Sequence, residues 1–115
     1  MRVIKYSERF LKDAQRLKNK KNFKEIADDI KEVEDWLRSG EVKGDLIPGL
    51  SGLQIFKIRQ KNSSINSSKS GGFRIIYYQI REGDVIAMLT IYSKTETENI
   101  SKSEILEILK NLDHQ

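Results

Sequence analysis

Two strand-forming runs, FRIIYYQI at residues 73–80 and DVIAMLTIYS at 84–93, meet through the short turn REGD at 81–84. β-branched and aromatic residues dominate both runs, and so short a connection commits them to an antiparallel hairpin. A third run, LQIFKIR at 53–59, has the same character and precedes them. The first hairpin strand opens on Arg74, directly behind Gly71 and Gly72. A buried strand does not need a cation there, so Arg74 calls for an explanation.

The rest of the chain supplies elements to cover those strands. VIKY at 3–6 is a short strand, and Ser7 is placed to cap a helix with Phe10, Leu11, Ala14 and Leu17 on one face. Asn22 followed by Glu25 resembles a capping box for a second helix, striped by Phe23, Ile26, Ile30, Val33 and Leu37 and ended by Ser39 and Gly40. GDLIPGLSG at 44–52 reads as an ordered loop, since it holds the chain's one proline. Ser101 and Glu104 form another capping box, opening a last helix with Ile105, Leu109 and Leu112 on one side. The order is β-α-α-β-β-β-α. It predicts an α+β domain whose antiparallel sheet carries its helices on one face. All 115 residues are expected to form that one domain, large enough to bury roughly two-thirds of its unfolded surface.

Composition removes several kinds of chemistry. There is no cysteine, and the single histidine is His114, so thiolate metal sites, zinc sites rich in histidine and a Ser-His-Asp triad are all disfavoured. No metal site and no cofactor is expected. No apolar run approaches the ~20 residues of a membrane span, and MRVIKYSERF lacks the apolar stretch of a signal peptide. A soluble cytoplasmic protein is the expectation. The net charge of +4 is unevenly spread. Residues 1–24 hold nine lysines and arginines against Glu8 and Asp13, whereas residues 25–35 hold six acids against Lys31. That asymmetry is compatible with a polyanion partner, but for the helical part solvated helix faces are the stronger reading.

Lys57 and Arg59 lie two apart in FKIR, which on a strand puts both on one sheet face about 6.5–7 Å apart. If the next strand pairs antiparallel, Arg74 starts beside them, and three like charges are comfortable only with solvent or an anion between them. A phosphate suits such a cluster, because arginine forks onto its oxygens and lysine adds a point charge. Scattered, solvated cations are the competing reading. Between the strands, QKNSSINSSKSGG at 60–72 spans a gap that two residues could close. Its extra closure entropy is only about 1.5 kcal/mol, so it is either a neutral insertion or a flap beside a site.

GDLIPGLSGL at 44–53, FKIR at 56–59, SGGFRIIYYQI at 70–80 and LTIYSK at 89–94 together resemble the RelE/ParE superfamily of type II toxin–antitoxin toxins, nearest its HigB-like branch. The resemblance implies a compact α+β domain that enters the ribosome, cuts mRNA there without a metal, and is neutralised by an antitoxin encoded nearby. It implies that Lys57 and Arg59 contact the scissile phosphate and that Arg74 stabilises the same group. Lys61, Lys69 and Lys94 match basic positions that hold the RNA. Two positions depart from the pattern: Thr95 stands where RelE has a further arginine, and Ser101 where it has a terminal-helix tyrosine. Histidines used by other HigB-like toxins are missing as well. Tyr77, Tyr78 and Tyr92 remain as candidate proton donors, and each is also a candidate for core packing. Those departures keep two alternatives open. One is a ParE-like, non-enzymatic inhibitor of DNA gyrase; the other is an inactive relative that only binds antitoxin.

Overall fold

The computed structural model describes residues 2–20, 23–41, 43–64, 72–80, 85–96 and 99–112. The hairpin runs are its centre: β4 (Phe73–Ile80) pairs antiparallel with β5 (Val85–Ser93). On one side β3 (Ile55–Gln60) pairs antiparallel with β4, and β2 (Asp45–Leu46) adds a two-residue edge to β3. On the other side β1 (Val3–Tyr6) pairs parallel with β5. The sheet order is β1-β5-β4-β3-β2. The α+β class holds, and the sheet is mostly antiparallel with one parallel pair. The short strand at Asp45–Leu46 lies within the segment expected to be loop.

Helix α1 (Glu8–Lys18) starts where β1 ends, and Ser7 makes the join. Its backbone N–H donates to the Met88 carbonyl at 3.0 Å, its hydroxyl donates to the Leu89 carbonyl at 2.6 Å, and the same oxygen accepts from Phe10 N–H. One side chain therefore caps the helix and pins it to β5. The pin lies at a β-bulge: Ile76 pairs with Thr90 and Tyr77 with Met88, leaving Leu89 as the extra residue. Beside it, the Thr90 hydroxyl donates at 2.6 Å to the buried Asp13 carboxylate, which also pairs with Arg9 at 3.0 Å.

Helix α2 (Ile26–Arg38) follows. Glu25 occupies the N-cap with no side-chain cap, and its N–H is taken by the Ser64 hydroxyl at 2.7 Å; Asn22 lies outside the described residues. At the last helix the Ser101 half of the expected box forms, with the Ser101 hydroxyl itself donating to Glu104 Oε1 at 3.4 Å. Ser101 Oγ accepts from Glu104 N–H at 3.2 Å at the start of α3 (Lys102–Leu112).

The helices do not share a face, which corrects the expectation. Phe10, Leu17, Phe23, Ile26, Val33 and Leu37 from the α1–α2 side pack with Phe56, Ile58, Phe73, Ile75, Tyr77, Ile86, Met88 and Ile91. The alternate strand residues Ile55, Ile76, Ala87, Leu89 and Tyr92 pack with Ile105, Ile108 and Leu112 of α3. Side chains alternate across a strand, so α3 lies on the opposite face from α1 and α2. Of the predicted α3 stripe, Ile105 and Leu112 are buried, Leu109 is half-buried, and Ile108 joins them.

Candidate functional site

The register places the cations. Arg59 on β3 stands directly opposite Arg74 on β4, and Arg74 directly opposite Tyr92 on β5. Residues in direct cross-strand register share a face, so Arg59, Arg74 and Tyr92 form one row on the α3 side. Lys57, two positions before Arg59, lies on that face too, with Ile76 as its neighbour on β4 and Asp45 on β2. α3 covers the far part of this face through its apolar side chains, while the row sits at the end where β3 finishes and β4 begins.

The three cations occupy different environments. Arg59 is exposed, Lys57 half-buried, and Arg74 only 4% exposed. Lys57 Nζ donates to Asn99 Oδ1 at 3.3 Å, a partner 42 positions away on the connection to α3. Arg74 donates from one guanidinium nitrogen to the Phe73 carbonyl at 3.3 Å. Burial lowers the Arg74 pKa, the neighbouring charge of Arg59 lowers it further, and Tyr92 opposes both. Arginine starts so far above neutrality that Arg74 still carries its charge at pH 7. A buried guanidinium beside a second one is favourable ground for an anion, since a phosphate offsets both desolvation and repulsion.

Two glycines let the backbone come close enough to build this site. Gly44 lies at φ +93°, and a Cβ there would overlap the Lys57 carbonyl. A Cβ on Gly72 would overlap the Gln60 carbonyl and press on Asn62 N–H. Lys61 and Lys94 are exposed and extend from the same end of the sheet, where Lys94 N–H donates to the Gly72 carbonyl at 3.2 Å. Lys69 lies outside the described residues, as do Gly71 and the REGD turn. Ahead of them, Asn62 Oδ1 accepts from Ser64 N–H at 3.0 Å and Asp29 accepts from Ser63 N–H at 3.0 Å, so 62–64 is tied to α2.

The tyrosines separate cleanly. Tyr77 stacks on Phe56 at 5.3 Å in the α1–α2 core, and its hydroxyl donates to the Lys43 carbonyl at 2.7 Å. Tyr78 packs half-buried against the apolar cluster under α3. Only Tyr92 stands in the row with Arg59 and Arg74. The two departures from the family pattern have local duties. The Thr95 hydroxyl lies 2.8 Å from that of Ser93, and Ser101 caps α3. Sequence reasoning missed Asn99 and Glu96. Glu96 pairs with Arg16 at 2.5 Å and with Lys20, tying the end of β5 to α1. Burial alone would raise its pKa, but Lys20 and Arg16 outweigh that and hold it below the usual carboxylate value.

Among the described residues no helix is long and apolar enough to cross a membrane, and no three His, Cys, Asp or Glu side chains converge as metal ligands. No protein-family profile matches the sequence. Solved structures do match. The isolated RelE toxin of E. coli superposes with a TM-score of 0.54 at 20% identity, over 97% of this chain and 99% of that one. The intact E. coli RelBE toxin–antitoxin complex matches with 0.53 at 22% identity, over 81% of this chain and 96% of that one. An E. coli RelE mutant bound to a peptide of its antitoxin matches with 0.50 at 21% identity, over 88% and 96%. The fold is therefore RelE-like.

Proposed function

We propose that this chain is the toxin of a type II toxin–antitoxin system, a HigB-like mRNA endoribonuclease that acts on the translating ribosome and needs no metal. The observation that carries the reading is the direct pairing of Arg59 with the buried Arg74, with Lys57 on the same face. The 2′-hydroxyl of the message attacks the adjacent phosphorus and the bond to the 5′-oxygen breaks. The products are a 2′,3′-cyclic phosphate and a 5′-hydroxyl. Arg59 and Arg74 hold the oxygens on which charge develops, and Lys57 adds a third cation once it leaves Asn99. In-line geometry is the larger requirement, and the ribosome meets it by fixing the message. Lys61 and Lys94, with Lys69 of the long loop, hold flanking phosphates.

The proposed partners are a neighbouring antitoxin, the ribosome and mRNA. A similar toxin is seen with its antitoxin in the RelBE complex, and an acidic or amphipathic segment would complement the cationic row. One observation favours a second reading. Thr95 and Ser101 are engaged in local hydrogen bonds, which leaves the ParE-like or inactive alternatives with a structural motive. Primer extension on a translated message, with a gyrase supercoiling assay on the same preparation, separates them. New mRNA ends with normal supercoiling support the endoribonuclease. Intact mRNA with inhibited supercoiling would assign the ParE-like activity, and neither effect would leave an antitoxin-binding protein.

A further inference from the structure

Tyr92 is 5% exposed, and its hydroxyl is buried without a hydrogen-bond partner among the described residues. Tyrosine hydroxyls that enter a core normally find one, because leaving a donor unsatisfied costs free energy. The contrast with Tyr77 is sharp: that hydroxyl, equally enclosed, is bonded to the Lys43 backbone. Tyr92 instead sits across from Arg74, in the row whose other member is Arg59. What covers it is the chain leading into α3, with Ile100 packed on the same apolar cluster and Asn99 fastened to Lys57. Burial acts most strongly and raises its pKa, while the Ile100 backbone, approaching the oxygen as a donor, and the Arg74 charge lower it; the hydroxyl keeps its proton, and its O–H meets no acceptor among the described residues.

We propose that the Tyr92 hydroxyl is a further ligand of the phosphate held by Arg59 and Arg74, reached when the anion draws Lys57 away from Asn99 and the 99–101 segment lifts. This rests on the reading of the row as an RNA-phosphate site. Tyr92 donates a neutral hydrogen bond to a phosphate oxygen and keeps its proton throughout. Until the anion arrives, the Tyr92 O–H has no acceptor among the described residues, and Asn99 Oδ1 holds Lys57 as an oxygen of the phosphate would. Tyr78 and Tyr77 cannot take this part, the first lying under the far part of α3 and the second on the other face of the sheet.

Tyr92→Phe tests it with three readouts on the full chain. Removing an unpaired buried hydroxyl should raise the Tm by about 3–8 °C. Cleavage of ribosome-bound mRNA should slow about 10-fold or more, the loss expected for one hydrogen bond to a charged group. Binding of inorganic phosphate, followed by NMR titration of the Arg59 and Arg74 side-chain signals, should weaken several-fold. Asn99→Ala should shift phosphate binding the opposite way, since it frees Lys57. If the wild type cuts mRNA and Tyr92→Phe cuts equally fast, the inference fails and the endoribonuclease reading stands. If the wild type cuts nothing, that reading fails, and the phosphate titration decides Tyr92 by itself: weaker binding in the variant upholds it, equal binding overturns it. A lowered Tm would show that the hydroxyl is satisfied in the free protein and would also overturn it.

Discussion

The two faces of the sheet are finished differently. Toward α1 and α2, β3 to β5 present apolar side chains along their length, and buried polar groups there such as Ser7, Asp13 and Gln60 are hydrogen-bonded. Toward α3, the apolar patch of Ile55, Ile76, Ala87 and Leu89 gives way at one end to Lys57, Arg59 and Arg74, with a Tyr92 hydroxyl that has no hydrogen-bond partner among the described residues. The first face is closed and stabilises the fold. The second is covered over only part of its area, and its open end carries costs that a stable core would not tolerate: adjacent cations and a donor with nothing to donate to. Such local costs concentrate where a ligand is expected to offset them.

Substitutions that break this contrast begin with the closed face. Phe10→Ala removes a side chain 2% exposed that packs on Tyr6 at 5.4 Å, while leaving the backbone N–H that Ser7 caps. It should cost about 3–5 kcal/mol in urea unfolding. Leu112→Ala, at the end of α3, should cost nearer 2 kcal/mol, because that helix end can settle into the space. Equal losses at the two positions would remove the distinction between the faces.

Gly72→Ala comes next. The added methyl meets the Gln60 backbone, which cannot turn aside as a side chain would, so about 1–3 kcal/mol of stability should be lost. The entry to β4 should move with it, and phosphate binding should weaken in a form that still folds. A fully stable Gly72→Ala protein would show that β3 and β4 approach less closely at this end.

Much of this was legible beforehand, and the gaps have physical causes. Four strands, the Ser7 cap and the Ser101 cap of α3 followed from local patterns, and the resemblance singled out Lys57, Arg59 and Arg74. The position of α3 did not follow, although a signal was present. IIYY at 75–78 and VIAML at 85–89 are apolar at consecutive positions and do not alternate, the mark of strands buried on both faces, so a helix was required on each side. β2 escaped because two residues beside Pro48 carry no periodicity, and its pairing depends on β3. At the second helix Glu25 N–H donates to the hydroxyl of Ser64, 39 residues away, a partner that no local pattern marks. Asn99 was beyond reach for a similar reason, since nothing local marks a partner 42 residues from Lys57.

Glu96 ties the end of β5 to α1, and its effect should be the smallest. Its folded pKa is depressed, so its contribution is present above the unfolded value of about 4.3 and fades as pH falls through the lower folded value. Glu96→Gln should therefore lower stability by at most about 1 kcal/mol at pH 7 and make little difference near pH 2. Raising the salt concentration should shrink the gap, since Arg16 and Lys20 are themselves well exposed. A loss that persists at pH 2 would mean that Glu96 acts through packing.

The central claim is that the open end of the α3 face binds a phosphate of RNA, and Arg59→Ala tests it most directly. Arg59 is exposed, so its removal should change stability by no more than about 0.5 kcal/mol. Measured on the same translated message, with the product ends identified, the wild type should yield a 2′,3′-cyclic phosphate and a 5′-hydroxyl, and Arg59→Ala should yield them about 10- to 100-fold more slowly. An Arg59→Ala protein of unchanged stability that cuts at the wild-type rate would contradict the claim.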